Sequence, residues 1–267
     1  VAAAVASVFG FQLTEHGYAG AELLMPVTFV VIVGTVVVYG LTSGLVALRL
    51  GLAIPNPQGI LFVGATTLVR SLAKSLQNEG IQVLLVDANH RNVREAKLAE
   101  LPARRGSALE EGVGDSLDLF GLGRVLAVTP NDEVNKLVAL HFGHTFGRSE
   151  TYQLAPDTVP NKGRLQPAGE LGGRTLFAED ADYYALSARW GRGRVRVTGL
   201  TDQFDFAAFL AEHGERVLPL FVIEPDGSLT VATPDKPLKP AAGAKVVALV
   251  DEPPASAADA PRDSSGL

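Results

Sequence analysis

Residues that could hold a phosphorylated ligand meet between positions 64 and 87. The apolar stretch GILFVG ends in Gly64, and Thr66 and Thr67 open the next segment. The stretch IQVLLVD then ends in Asp87, 23 residues after Gly64. A glycine after a strand lets the backbone approach a pyrophosphate. The start of the next helix offers free N–H groups and a positive dipole end, and a carboxylate about 20 residues later takes ribose hydroxyls. NAD(H) or an adenine nucleotide are the cofactor classes such a turn would take. Here it runs GATTLV, so Thr66 and Val69 replace the second and third glycines of G-x-G-x-x-G. Thr66 brings a Cβ to the place of close approach, and Val69 is expected to crowd the helix against the strand. Two readings stand. In one, Gly64, Thr66, Thr67 and Asp87 still bind a nucleotide, with the threonine hydroxyls on phosphate. In the other the unit has kept its scaffold and lost its ligand, and the threonines cap a helix.

Other candidates carry less. His141 and His144 fall at i, i+3 on one helix face and could be a base or a metal pair, but surface helix histidines are far commoner. Trp190 with Arg189, Arg192 and Arg194 could form an anion site, but a solvated strand face with one core aromatic is the simpler reading. No catalytic or metal-ligating residue is assigned, and the chain is expected not to be an enzyme. The absence of cysteine excludes disulfide scaffolds, thiolate zinc sites and cysteine nucleophiles. A net charge of −6 argues against a nucleic-acid partner, which would need a basic face.

The elements around the turn alternate in type. GILFVG, IQVLLVD, RVLAVTPND and ETYQL are strand candidates. ATTLVRSLAKSLQNEG, RNVREAKLAEL and EVNKLVALHFGHTFG are helix candidates. In the first helix Leu68, Val69, Leu72, Ala73 and Leu76 follow helical spacing, and Gly80 closes it. This alternation predicts an α/β Rossmann-like domain with a parallel sheet over 56–155. A third strand near AELPARRG is barely visible, because it carries no apolar run.

Ahead of it the chain is of another kind. Leu23 to Leu48 carries no charged residue, and about 20 apolar residues cover a bilayer core. Thr28 and Thr35 are expected to bond back to their own helix, and Gly34 and Gly40 to admit a neighbouring helix. The opening VAAAVASVFGFQL, with no Met and no basic leader, is expected to be the end of a truncated membrane helix. Residues 1–50 are thus read as membrane α-helices, one partial and one complete. The TEHGYAGAE loop, with Glu15 and His16, has no Lys or Arg, whereas Arg49, Arg70 and Lys74 come after the span. The loop is therefore expected outside and the rest in the cytoplasm.

A Gly- and Pro-rich linker beginning APDTVPNKG leads to a small α+β domain over 170–251. RTLF, ARW, RVRVTGL, VLPLFVI and AGAKVVALV are its strand candidates, IEPDGSLTVA its hairpin and FDFAAFLAEHG its helix. Residues 252–267 are small and polar, and are expected to be disordered.

VAAAVASVFGFQL, EHGYAGAELL and PVTFVVIVGTVVVYGLTSGLVALRLGL resemble the last two membrane helices of bacterial sodium/proton antiporters of the cation:proton antiporter superfamily. GILFVGATTLV, LLVDANHRNV and VLAVTPNDEVN resemble the TrkA-N or RCK-type regulatory domain of potassium transport systems. The last lobe is similar, more loosely, to the small sensing domain that comes after it there. Gly64 through Val69 fall on that family's Rossmann turn and Asp87 on its ribose-binding acid. Ser107, in RGSAL, stands where the family's third strand usually ends in an acid. The resemblance implies the end of a monovalent cation:proton antiporter in the bacterial inner membrane, multi-pass, with its regulatory domains in the cytoplasm. Its partners would be Na or K ions, protons, the membrane and a second copy of the chain. The alternatives are a membrane-anchored NAD-dependent oxidoreductase and a potassium-channel or uptake regulatory protein. No TVGYG-type filter occurs in the sequence.

Overall fold

The computed structural model describes residues 2–50, 56–110, 117–157 and 172–252. The expected tail, Glu252 apart, and most of the expected linker lie outside the described residues. The chain divides into two compact units, Val1–Asn56 and Pro57–Leu267.

The first unit is a helical pair, α1 (Ala2–Glu15) and α2 (Leu24–Arg49). The turn between them uses Gly17 and Gly20 at φ 76° and 85°. A Cβ on Gly10 of α1 would stand 3.3 Å from Leu24 Cβ, so the helices touch closely there. With 26 residues, α2 is about 39 Å long, more than a bilayer core requires. None of its residues is buried, and Val36, Tyr39 and Leu41 are about 70% exposed. An apolar helix this exposed loses the hydrophobic contribution unless something apolar covers it. As the sequence predicts, Thr28 and Thr35 donate to the carbonyls of Leu24 (2.7 Å) and Ile32 (2.8 Å). Thr42 does the same to Val38 (2.6 Å). These bonds satisfy all three threonine hydroxyls within the helix itself. His16 is bonded to the Gln12 carbonyl (2.8 Å), within its own turn.

The second unit opens with β1 (Gly59–Val63), α3 (Thr67–Asn78), β2 (Val83–Asp87), α4 (His90–Leu98) and β3 (Ala103–Arg105). It continues with β4 (Leu122–Ala127), α5 (Asp132–Phe146), β5 (Thr151–Gln153) and β6 (Arg174–Thr175). All six strands pair in parallel in the order β3-β2-β1-β4-β5-β6. The central strand β1 is buried along its whole length. The apolar stripe of α3 is the expected one, with Leu68, Val69, Leu72, Ala73 and Leu76 all buried. Val69 is fully buried in the core between this helix and the sheet. The faint third strand exists, but is three residues long and sits on the sheet's edge, where few side chains need to be apolar.

A four-stranded antiparallel sheet, β7-β10-β8-β9, completes the unit: β7 (Gly193–Gly199), β8 (Val217–Ile223), β9 (Leu229–Val231) and β10 (Lys245–Asp251). The β8–β9 turn falls at the expected hairpin, with Gly227 at φ 82°. Helices α6 (Tyr183–Arg192) and α7 (Phe206–His213) flank it.

Two segments differ from the sequence reading. That reading opens the last lobe with RTLF, but Arg174–Thr175 forms β6, the final parallel strand of the first sheet. It makes ARW a strand, but ARW lies in α6. Asp182 caps that helix by accepting from the Ala185 N–H (2.8 Å). Leu186 and Trp190, four residues apart, face the core. A run as short as ARW has no periodicity of its own and follows its cap.

Candidate functional site

The switch point of the six-stranded sheet lies between β1 and β4, where open α/β sheets form a crevice at the strands' carboxyl ends. Gly64 leaves β1 at φ 109°, and a Cβ there would stand 2.4 Å from the Val128 carbonyl oxygen, just past β4. Its N–H donates to Val86 O (2.8 Å). The fold therefore requires glycine here, whatever the turn binds.

Asp87 ends β2 beside it. Its Oδ2 accepts from the Ala65 N–H (2.7 Å) and from Asn92 Nδ2 (2.9 Å), and its Oδ1 accepts from the Asn89 N–H (2.7 Å). A carboxylate oxygen can accept twice, so Oδ1 keeps room for one more donor, such as a ribose hydroxyl.

Thr66 takes the N-cap position of α3 in extended backbone, yet its side chain caps nothing. Its Oγ1 is buried with no hydrogen-bond partner among the described residues. Buried hydroxyls almost always have one, so this oxygen is an unmet polar demand at an uncapped helix start. Thr67, the first helical residue, is exposed and accepts from Arg70 Nη2 (3.1 Å).

Gly64, Thr66, Thr67 and Asp87 thus meet around the first strand-to-helix turn, which Asp87 joins by accepting from the Ala65 N–H. The sequence reading missed Arg70, which ties the turn together. Its Nη1 donates to Ala65 O (2.8 Å), and its Nη2 bonds Glu95 Oε2 (2.6 Å) on α4. Arg91 also bonds Glu95 (3.0 Å) and, together with Arg70, holds its carboxyl below its usual range. Asn89 and Asn92 were missed as well, although both fall within five residues of Asp87, where local Asx bonding is common. Across the switch point, the Thr129 hydroxyl donates to Asn135 Oδ1 (2.7 Å), and Asn135 Nδ2 returns a bond to Thr129 O (3.0 Å). This locks the β4–α5 turn. Ser107, beyond β3, is exposed and accepts from the nearby Leu109 N–H (3.3 Å).

The remaining candidates lie elsewhere. His141 and His144 are exposed on α5; His141 meets Phe142 edge-on, and His144 lines a small cavity with Arg148 and Thr151. Among the described residues no group of His, Asp or Glu could hold a metal ion. Arg189 pairs with Asp251 (3.1 Å) and donates to the Glu215 carbonyl, which makes it a brace inside its lobe.

The TrkA-N domain family model matches residues 60–157. That segment, from β1 past β5, has a Rossmann-like fold and is similar to TrkA-N domains. The match covers well under half of the chain. No curated protein matches the sequence. Among solved structures, the NAD(P)-binding domain of an exopolyphosphatase-related protein from Archaeoglobus fulgidus is 21% identical. That alignment covers 38% of this chain and 75% of the other, at a TM-score of 0.32. The TrkA-N domain of the inner membrane protein ybaL from Escherichia coli is 16% identical, covering 39% and 77%, at 0.34. The GsuK channel bound to NAD is 16% identical, covering 89% of this chain and 47% of that one, at 0.36.

Proposed function

We propose that the chain is the regulatory portion of a monovalent cation:proton antiporter of the bacterial inner membrane, with the TrkA-N unit in the cytoplasm. The observation that carries this reading is the order of parts. A 29-residue helical stretch from Ala21 to Arg49, apolar enough to cross a membrane and almost wholly exposed, precedes the segment that matches the TrkA-N family. Arg49 at the end of α2 favours the cytoplasm for the residues beyond it. Between Leu24 and Leu48 there is no Asp, Glu, Lys, Arg or His, so exchange of Na or K for protons would use residues outside α2. A second copy would pair with the first through the cytoplasmic unit.

The crevice is the regulatory site, and its ligand is NAD(H) or an adenine nucleotide. Gly64 admits the backbone approach. The uncapped start of α3 and the exposed Thr67 hydroxyl meet phosphate, the buried Thr66 hydroxyl reaches it when the turn opens around the ligand, and Asp87 takes a ribose hydroxyl. The chain is not an enzyme in this reading, since the crevice pairs no nucleophile with a base among the described residues. The order of parts also serves a potassium-channel or uptake regulatory protein.

Two measurements decide. Titration calorimetry of the full chain in detergent with NADH, NAD, ATP and ADP should give heat at micromolar strength for one of them. Folded protein without heat for any would leave the crevice a scaffold. Cation-dependent collapse of a proton gradient in everted membrane vesicles would favour the antiporter. Potassium flux without proton movement would favour the channel or uptake reading.

A further inference from the structure

β9 is an edge strand: among the described residues it pairs with β8 on one side and with no strand on the other. Edge strands usually leave backbone groups open on the outer side. Here the Rossmann-like sheet covers them with side chains. The Leu229 N–H donates to Gln58 Oε1 (2.7 Å), and the Leu229 carbonyl accepts from Arg124 Nη1 (2.6 Å). Arg124 Nη2 also donates to Gln58 Oε1 (3.1 Å), closing a triangle. Just beyond β9, the Ala232 carbonyl accepts from the N–H of Phe177, two residues past β6 (2.8 Å). Gln58 and Arg124 therefore stand where a neighbouring strand would.

Arg124 is unusual for an arginine. It is only 6% exposed, with Glu150 Oε2 3.4 Å from its Nε as an ion-pair contact. Burial pushes its pKa down, and Glu150 partly offsets this. A buried guanidinium is costly unless its donors are used, and here two of its nitrogens are spent on the other lobe and on the residue that anchors it.

We propose that Gln58 and Arg124 form a latch that fixes β9 against the TrkA-N sheet, so that the antiparallel lobe, which shares a buried core with that sheet, moves with the strands that carry the latch. Gln58 immediately precedes β1, whose other end leads into Gly64. Arg124 lies early in β4, whose other end leads to Val128, the residue Gly64 packs against. The two strands that form the crevice at one end thus carry the latch at the other, and a shift of β1 against β4 reaches β9 without a flexible link. The latch stands independently of any ligand; only its use as a relay rests on the nucleotide reading above.

The chain has no cysteine, so spin labels can be placed without background. In the full chain in detergent, Leu98→Cys with Glu212→Cys reports across the lobes, and Leu98→Cys with Leu137→Cys reports within the TrkA-N unit; all three sites are exposed. A single narrow interlobe distance is expected, shifted or broadened in Arg124→Met while the intralobe distance stays narrow, the shared core and the Arg174–Asp235 pair still holding the lobes together. If Arg124→Met fails to fold, which a broadened intralobe distance would reveal, Gln58→Leu removes the Leu229 acceptor with no change of charge and is judged by the same criterion. An interlobe distance that stays narrow and unshifted in the folded variant overturns the latch. Nucleotide titration is a separate readout, so absence of binding with a working latch removes the relay and leaves the latch intact.

Discussion

The Ala65 N–H donates to Asp87 Oδ2 across 2.7 Å, so the carboxylate at the end of β2 closes the first turn before any ligand arrives. Asp87 has a structural role as well as a candidate binding one. Asp87→Ala strands the Ala65 and Asn89 amides and the Asn92 amide group, and should destabilise the protein by about 1–3 kcal/mol with no nucleotide present. Thermal unfolding of the ligand-free chain checks this. An unchanged midpoint would mean that water replaces the carboxylate without loss. Loss of nucleotide binding in this variant has to be judged on protein shown to be folded.

Thr66 separates binding from folding better. Thr66→Val keeps the shape and removes a buried oxygen that has no partner among the described residues. Without ligand the variant should be as stable as the parent or more so, by up to about 1–2 kcal/mol. If the hydroxyl serves a phosphate, nucleotide affinity should fall about tenfold or more, the worth of one well-placed hydrogen bond. Calorimetry beside unfolding tests both halves. A drop in stability would show that the hydroxyl is satisfied in solution.

Gly64→Ala should be the most damaging single change at the crevice. It sets a Cβ 2.4 Å from a backbone oxygen, at a φ of 109° that side chains rarely adopt. Strain of about 1–3 kcal/mol adds to the steric clash, and the midpoint should fall by several degrees. A variant that unfolds like the parent would contradict the close β1–β4 approach.

Acid should weaken the contact between β6 and the antiparallel lobe. The Thr233 hydroxyl and the Arg174 guanidinium hold the Asp235 carboxyl below its usual 3.8. A carboxyl with a lowered folded pKa contributes stability that is present above its ordinary value and is lost as the pH falls through the folded one. The unfolding midpoint should therefore decline at the acid end, and Asp235→Asn should flatten part of that decline. Equal slopes for parent and variant would remove Asp235 from the acid response.

In α2, Val36→Arg puts a charge in the middle of the apolar stretch, at about 2.5–3.5 kcal/mol against insertion. Membrane retention after carbonate extraction should drop. Unchanged retention would mean that α2 is not what holds the chain in the membrane.

How much of the fold and the crevice is legible in the chain depends on the range of each interaction. The charge-free run from Leu23 to Leu48 defines α2 because a helix that satisfies its own backbone and threonine hydroxyls needs only local sequence. The spacing from Leu68 to Leu76 likewise fixes the buried face of α3. Gly64, Thr66, Thr67 and Asp87 could be placed at one strand-to-helix turn because the strand–helix–strand order dictates that meeting. Three things needed the tertiary structure. RTLF is too short to declare its sheet, and only pairing with β5 assigned it. Arg70 reaches Ala65 and Glu95, and no spacing rule reads a guanidinium's reach. Arg124 and Gln58 meet Leu229 across separations of 105 and 171 residues. No local pattern announces that meeting, because an edge strand's open backbone groups are satisfied by whatever donors and acceptors the fold brings alongside.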